Sequence, residues 1–100
     1  MAITIGSGRR RHKVLVEFYT RDGCHLCDQA EELLADEARR VRVKRIDIDR
    51  DEGLLARYHI RVPVVVVDGR EVAEGNIAPG AIRRAVRQAR DSRWNEWRRA

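Results

Sequence analysis

The run Val14-Leu15-Val16-Glu17-Phe18-Tyr19-Thr20-Arg21-Asp22-Gly23-Cys24-His25-Leu26-Cys27 decides how this 100-residue chain is read. Its opening residues, Val14 to Thr20, are rich in β-branched, aromatic and aliphatic side chains. They read as a strand apolar enough to lie near the middle of a sheet. Beyond Cys24 the pattern changes. Leu26, Ala30, Leu33, Leu34 and Ala38 recur at helical spacing, while Asp28, Glu31, Glu32, Asp36 and Glu37 fill the opposite face. The helix is expected to end near Arg39 or Arg40, whose positive charges suit a helix C-terminus. Both cysteines of the chain therefore fall where a strand hands over to a helix.

Working outward, Val41–Asp49 alternates as a second strand, with a shift of apolar phase between Val43 and Ile46 that a bulge or an edge position explains. Glu52–Tyr58 reads as a short helix bearing Leu54, Leu55 and Tyr58. Val64 to Val67 is a buried strand, Asp68-Gly69 a tight hairpin turn, and Arg70–Ala73 the returning strand. A last helix, which Pro79 can start, places Ile82, Ala85, Val86 and Ala89 inward. The order is β-α-β-α-β-β-α. The first two strands are expected to be parallel through a right-handed crossover, and the last two antiparallel. The chain divides into a flexible basic lead-in at residues 1–12, one α/β domain at 13–91 and a tryptophan-containing basic extension at 92–100.

Composition narrows the class. With 43% hydrophobic and 37% charged residues, the chain has the balance of one soluble domain. No apolar run approaches the ~20 residues that span a bilayer. Arg9-Arg10-Arg11-His12-Lys13 precedes an apolar stretch, but Glu17 interrupts it and no small-residue cleavage site follows, so a cytoplasmic location is expected. The net charge of +5 comes mostly from arginine. Acidic residues are interspersed along most of the chain, so this basicity reads as a solvated surface rather than a nucleic-acid site. A monomer that binds neither nucleic acid nor membrane is expected.

In a reducing compartment, two cysteines at CxxC spacing point to catalysis or to metal rather than to a permanent staple. Zinc requires two further ligands, and only scattered histidines and carboxylates remain. Redox chemistry fits better. Only a thiolate attacks a disulfide, and Cys24 at the first helical turn faces unpaired backbone N–H groups and the positive end of the helix dipole. Arg21 and His25 add positive potential there; Asp22 and Asp28 oppose it. Cys27, one turn on, lies deeper and suits the resolving role. His59 and His12 read as structural and as part of the lead-in.

Val62-Pro63, just ahead of the third strand, is the second chemical feature. If that bond is cis, the turn sets the backbone N–H and C=O of Val62 beside the cysteines. An extended substrate could then pair with them as an added strand.

The segment from Phe18 to Cys27, taken with Val62-Pro63-Val64-Val65-Val66-Val67-Asp68-Gly69, resembles the glutaredoxins. It is most similar to small bacterial glutaredoxin-like proteins with Cys-His-Leu-Cys in place of Cys-Pro-Tyr-Cys. The resemblance covers roughly Val14 to Ala89. It implies a thioredoxin-like fold of glutaredoxin type, with a four-stranded mixed sheet flanked by helices, Cys24 nucleophilic, Cys27 resolving and Pro63 cis. It also implies a basic residue, Arg21, near the thiol and the glutathione carboxylates. Gly75 and Asn76 fall where such proteins hold the γ-glutamyl end of glutathione, but Glu74 replaces a glycine and the usual acidic pair is missing.

The expected activity is thiol–disulfide exchange on a protein or low-molecular-weight disulfide. Arg21, His25, Val62, Pro63, Gly75 and Asn76 line the substrate side. No tightly bound cofactor is expected; glutathione or another small thiol is the candidate reductant. Two alternatives belong to other classes. One is an iron–sulfur carrier joining Cys24 of two protomers with external thiols. The other is a redox-sensing module whose Arg/Trp tail docks a partner, against which stands a simple helix extension with Trp94 and Trp97 packed back on the domain.

Overall fold

The computed structural model describes residues 13–99, and side chains as far as residue 92. The basic lead-in and the packing of Trp94 and Trp97 lie outside the described residues. Four strands form one sheet: β1 (Val14–Thr20), β2 (Val41–Asp47), β3 (Val64–Val67) and β4 (Arg70–Glu74). Three helices accompany them: α1 (His25–Ala35), α2 (Glu52–Tyr58) and α3 (Ala81–Arg99). The spatial order is β2-β1-β3-β4. The β1–β2 pair is parallel, with Val14 opposite Val41. The β1–β3 and β3–β4 pairs are antiparallel.

Alternation along β1 organises the interior. Val14, Val16, Phe18 and Thr20 point to one face and are all but inaccessible. There they join Cys27, Ala30 and Leu34 of α1 and Ile82, Val86 and Ala89 of α3 in the main core. Fully burying a side chain such as Phe18 or Ile82 contributes about 1.5–3 kcal/mol. The other face carries a smaller cluster of Ile48, Tyr58, Val64 and Val66, with Tyr19 and Leu54 at its margin. Val64 to Val67 is buried on both faces, as its unbroken apolar sequence requires. The hairpin after it turns on Asp68 and Gly69, both at positive φ (49° and 83°), the geometry of a two-residue turn matched to strand twist.

Two boundaries depart from the sequence reading. First, α1 ends at Ala35 rather than near Arg39, and the chain continues in tighter turns (Glu37 N–H to Leu34 carbonyl, 3.0 Å; Arg40 N–H to Glu37 carbonyl, 2.8 Å). The cause is Glu37. Expected on the solvated face, it is instead 3% exposed, bonded to Arg83 of α3 (3.1 Å) and near Arg40 (3.5 Å). The Arg40 contact has ion-pair distance without hydrogen-bond geometry, so Oε1 of this buried carboxylate accepts no hydrogen bond.

Second, β2 stops at Asp47, whose carboxylate accepts from the Asp49 N–H (3.0 Å) and starts a 3₁₀ turn over Ile48–Arg50. Of the two explanations for the phase shift in β2, the edge position holds, since β2 is an outer strand and its register with β1 is regular. The sheet's irregularity lies between Val65 and Val66, against β4. The backbone of α3 runs unbroken from Ala81 to Arg99. No helix among the described residues is long and apolar enough to cross a membrane.

Arg83 and Arg84 are neighbours with different work. Arg83→Ala strips the hydrogen-bonded partner from a buried carboxylate and is expected to cost about 1–3 kcal/mol. Arg84→Ala, exposed and without an ion-pair partner among the described residues, is expected to stay within about 0.5 kcal/mol. Equilibrium urea unfolding of the two variants measures the contrast; equal effects would contradict it.

Candidate functional site

The end of β1 delivers the chain through Arg21 and Asp22 to Gly23, whose φ of 73° an L side chain rarely adopts. That kink lets Cys24 serve as the N-cap of α1 in extended conformation (φ −99°, ψ 106°). The Cys24 carbonyl accepts the first helical bond from Asp28 N–H (3.1 Å). Its sulfur accepts from the Cys27 N–H (3.1 Å). A helix N-terminus thus aims an otherwise unpaired donor at the sulfur, where negative charge develops when the disulfide opens.

Cys24 and Cys27 are joined as a disulfide, with Cα atoms 5.1 Å apart. The two sulfurs differ in access. Cys27 is 1% exposed within the main core, whereas Cys24 is half-buried against the rim of that core. His25 is exposed, its Nε2 3.3 Å from Gln29 Nε2, and Leu26 is half-buried. Thr20, fully buried at the end of β1, has a hydroxyl without a hydrogen-bond partner.

The Val62–Pro63 bond is cis, and Pro63 is buried. Val62 packs against both clusters, and against the main one alongside Cys24. Its N–H, which the sequence reading left free for a substrate strand, is donated to the Tyr58 carbonyl (3.1 Å). Only the carbonyl of Val62 can then take part in such pairing. The Pro63 carbonyl accepts from Gly75 N–H (2.9 Å), tying the turn to the end of β4. Asn76 is exposed just beyond it.

Arg21 is engaged rather than free: its guanidinium pairs with Asp49 (2.8 Å) in the 3₁₀ turn. Motif reading alone missed a different group. Arg61, immediately before Val62, grips Glu71 and also Glu74 (2.9 Å) across the sheet. Its hydrogen bonds to Glu74 and Glu71 raise its pKa above the usual guanidinium value. The same bond holds the Glu74 carboxyl below the usual glutamate range. Tyr58 lies under this clamp, with the Arg57 and Arg61 guanidiniums each 5.3 Å from its ring centroid and Tyr19 stacked at 4.5 Å. Burial, followed by the nearby Glu17 charge, pushes the Tyr19 phenol up. The spacing of Arg61, Glu71 and Glu74 held no local signal: three residues apart, the two glutamates would face opposite ways on a regular strand, and the extra residue of β4 against Val65 and Val66 turns both toward Arg61.

Two clefts, of about 270 and 360 Å³, lie between α1 and β2 and between β4 and α3, and neither is lined by a cysteine.

Comparison with known proteins agrees with this architecture. A 63-residue stretch is 38% identical to the uncharacterized protein Rv0508 of Mycobacterium tuberculosis, covering 56% of this chain and 65% of that protein's length. The chain thus spans slightly less than two thirds of the curated relatives it matches. Protein XcR50 from X. campestris is 40% identical, with 69% of this chain and 91% of that one covered at a TM-score of 0.61. A single-site mutant of thioredoxin from Halobacterium salinarum shares the fold at 24% identity and a TM-score of 0.60, with 85% of this chain and 81% of that one covered. The model of the glutaredoxin-like domain (DUF836) matches residues 15–87. With a thioredoxin-like sheet and a CxxC pair at disulfide distance, the chain belongs to the glutaredoxin-like domain family.

Proposed function

We propose that this protein is a dithiol oxidoreductase that reduces disulfides through Cys24 and Cys27. The observation that carries the reading is the bonded pair at the start of α1, with one sulfur accessible and the other inside the core. In the reduced protein the Cys24 thiolate attacks one sulfur of the substrate disulfide. A mixed disulfide forms and the first thiol departs. The Cys27 thiolate then attacks Cys24 Sγ, breaking the mixed disulfide and releasing the second thiol. Two electrons pass from the protein dithiol to the substrate, and the dithiol's two protons end on the released thiols.

The chain's own residues supply the setting. The Cys27 N–H stabilises charge on Cys24, and the buried position of Cys27 restricts its reaction to the sulfur beside it. The Val62 carbonyl offers one acceptor to an extended partner, while Arg61, Glu74 and the Gly75–Pro63 bond hold the cis turn in place. Arg21, already paired with Asp49, is a weaker candidate for binding a ligand carboxylate than a free arginine.

Cys27→Ser, mixed with a small disulfide, is expected to accumulate a mixed disulfide at Cys24, visible by intact-mass spectrometry. Wild type is expected to turn the same disulfide over. No adduct together with no wild-type turnover would sink the reading. Arg61→Ala is expected to raise KM for a protein disulfide about threefold or more with a smaller change in kcat, since about 0.7 kcal/mol of positioning is at stake. Arg61→Lys is expected to recover part of the loss. Steady-state kinetics of both variants check this, and an unchanged KM would remove Arg61 from the positioning role.

A further inference from the structure

The charges of this protein are unevenly placed. The chain is net basic at +5, yet the end of the sheet that carries the cysteines is acidic. Thr20 stands in register with Asp47. The turn into Cys24 and the 3₁₀ turn after β2 therefore leave the sheet at the same end. There Arg21 is taken up by Asp49 and Arg50 by Asp47 (3.8 Å). Arg61 is shared by Glu71 and Glu74, so one of those two carboxylates lacks a countercharge.

Asp22 and Asp28, flanking the cysteines, are exposed and have no ion-pair partner among the described residues. Asp51 caps α2 by accepting from the Leu54 N–H (3.0 Å), with Glu52 exposed beside it. Against this surplus stand Arg57, whose guanidinium lies over the Tyr58 ring, and Arg70 and Arg84, which line the cleft between β4 and α3 together with Glu71. Residues 13–92 carry as many acidic as basic side chains, so the net excess of +5 falls in residues 1–12 and 93–100. Among the described residues, exposed basic groups away from the cysteines include Arg42 and Lys44 on the outer strand β2, and Arg87 and Arg90 on α3.

Resting on the dithiol reading above, we propose that the redox face selects partners with positive charge beside their disulfide. Asp22 and Asp28 are the selecting groups. An anionic disulfide approaching Cys24 meets their uncompensated carboxylates. A cationic one is drawn in by them. Such steering acts on the association step and is screened by salt. The expected partner is a cationic thiol, or a protein whose disulfide is flanked by lysine or arginine; an anionic peptide thiol such as glutathione is disfavoured.

The test uses full-length, pre-reduced protein in single-turnover oxidation by three small disulfides. Cystamine is dicationic, bis(2-hydroxyethyl) disulfide is neutral, and glutathione disulfide is anionic. Rates are taken from about 10 mM to about 1 M salt, over which the screening length shrinks from roughly 30 to 3 Å. The cystamine-to-glutathione-disulfide rate ratio is expected to fall about tenfold across that range. It is expected to fall about threefold or more at low salt in Asp22→Asn/Asp28→Asn, on the same electrostatic ground. Arg87→Gln/Arg90→Gln, which shifts net charge by the same amount in the opposite direction and away from the site, is expected to leave the ratio in place. A ratio that is flat or rises with salt, or that follows net charge wherever it is altered, overturns the proposal. If the neutral disulfide is reduced while the ratio stays flat, only the selectivity fails. If even the neutral disulfide leaves the dithiol unoxidised, the oxidoreductase reading falls with it.

Discussion

The structure depends on burying one face of β1. Val14, Val16, Phe18 and Thr20 are inaccessible because α1 and α3 close over them, and the strand is hydrogen-bonded to β2 on one side and β3 on the other. A strand held on three sides has no freedom of register, since a slip of one residue would turn Leu15, Glu17 and Tyr19 into the core. The residue that follows its end is therefore fixed in space. Gly23 then turns the chain so that α1 begins at the cysteines, and Cys27, Ala30 and Leu34 descend into the same core. Packing and chemistry are joined at Cys27, which is both a core residue and half of the reactive pair.

The second half of the site is positioned by different forces. The cis turn at Val62–Pro63 is tied by the Gly75 N–H on one side and by Tyr58 carbonyl bonds on the other. Above those backbone bonds, Arg61 reaches across to two glutamates of β4. Exposed ion pairs of this kind contribute little each, but here two of them converge on one guanidinium that also lies over an aromatic ring. The hairpin, the cis turn and the end of α2 are thereby linked through one side chain.

Much of this was legible in the sequence, for physical reasons. Period-two burial marked β1, and the four-valine run marked a strand covered on both faces. Asp68-Gly69 announced its own turn because few other pairs accept two positive φ values in succession. The CxxC spacing and Val62-Pro63 located the site because each imposes a local geometry. What escaped reading were long-range pairings between charged groups. Glu37 looked like one more acid on a solvated helix face, and only Arg83, 46 residues away, shows why it is inside. Arg21 looked available until Asp49 was found beside it. Arg61, Glu71 and Glu74 carry no motif; the bulge in β4 and the fold of the hairpin bring them together. Hydrophobic periodicity is a local signal, whereas the partner of a charge is set by tertiary arrangement.

The unequal access of the two sulfurs sets a rule of traffic. In the proposed reaction an external disulfide and an external reductant both use the Cys24 sulfur, because Cys27 is closed off by the core. Substrate and reductant therefore compete for one atom and cannot be bound to it together. For thiol exchange at this pair, one partner leaves before the other arrives. The oxidised and reduced proteins are then two successive receptors sharing a single doorway.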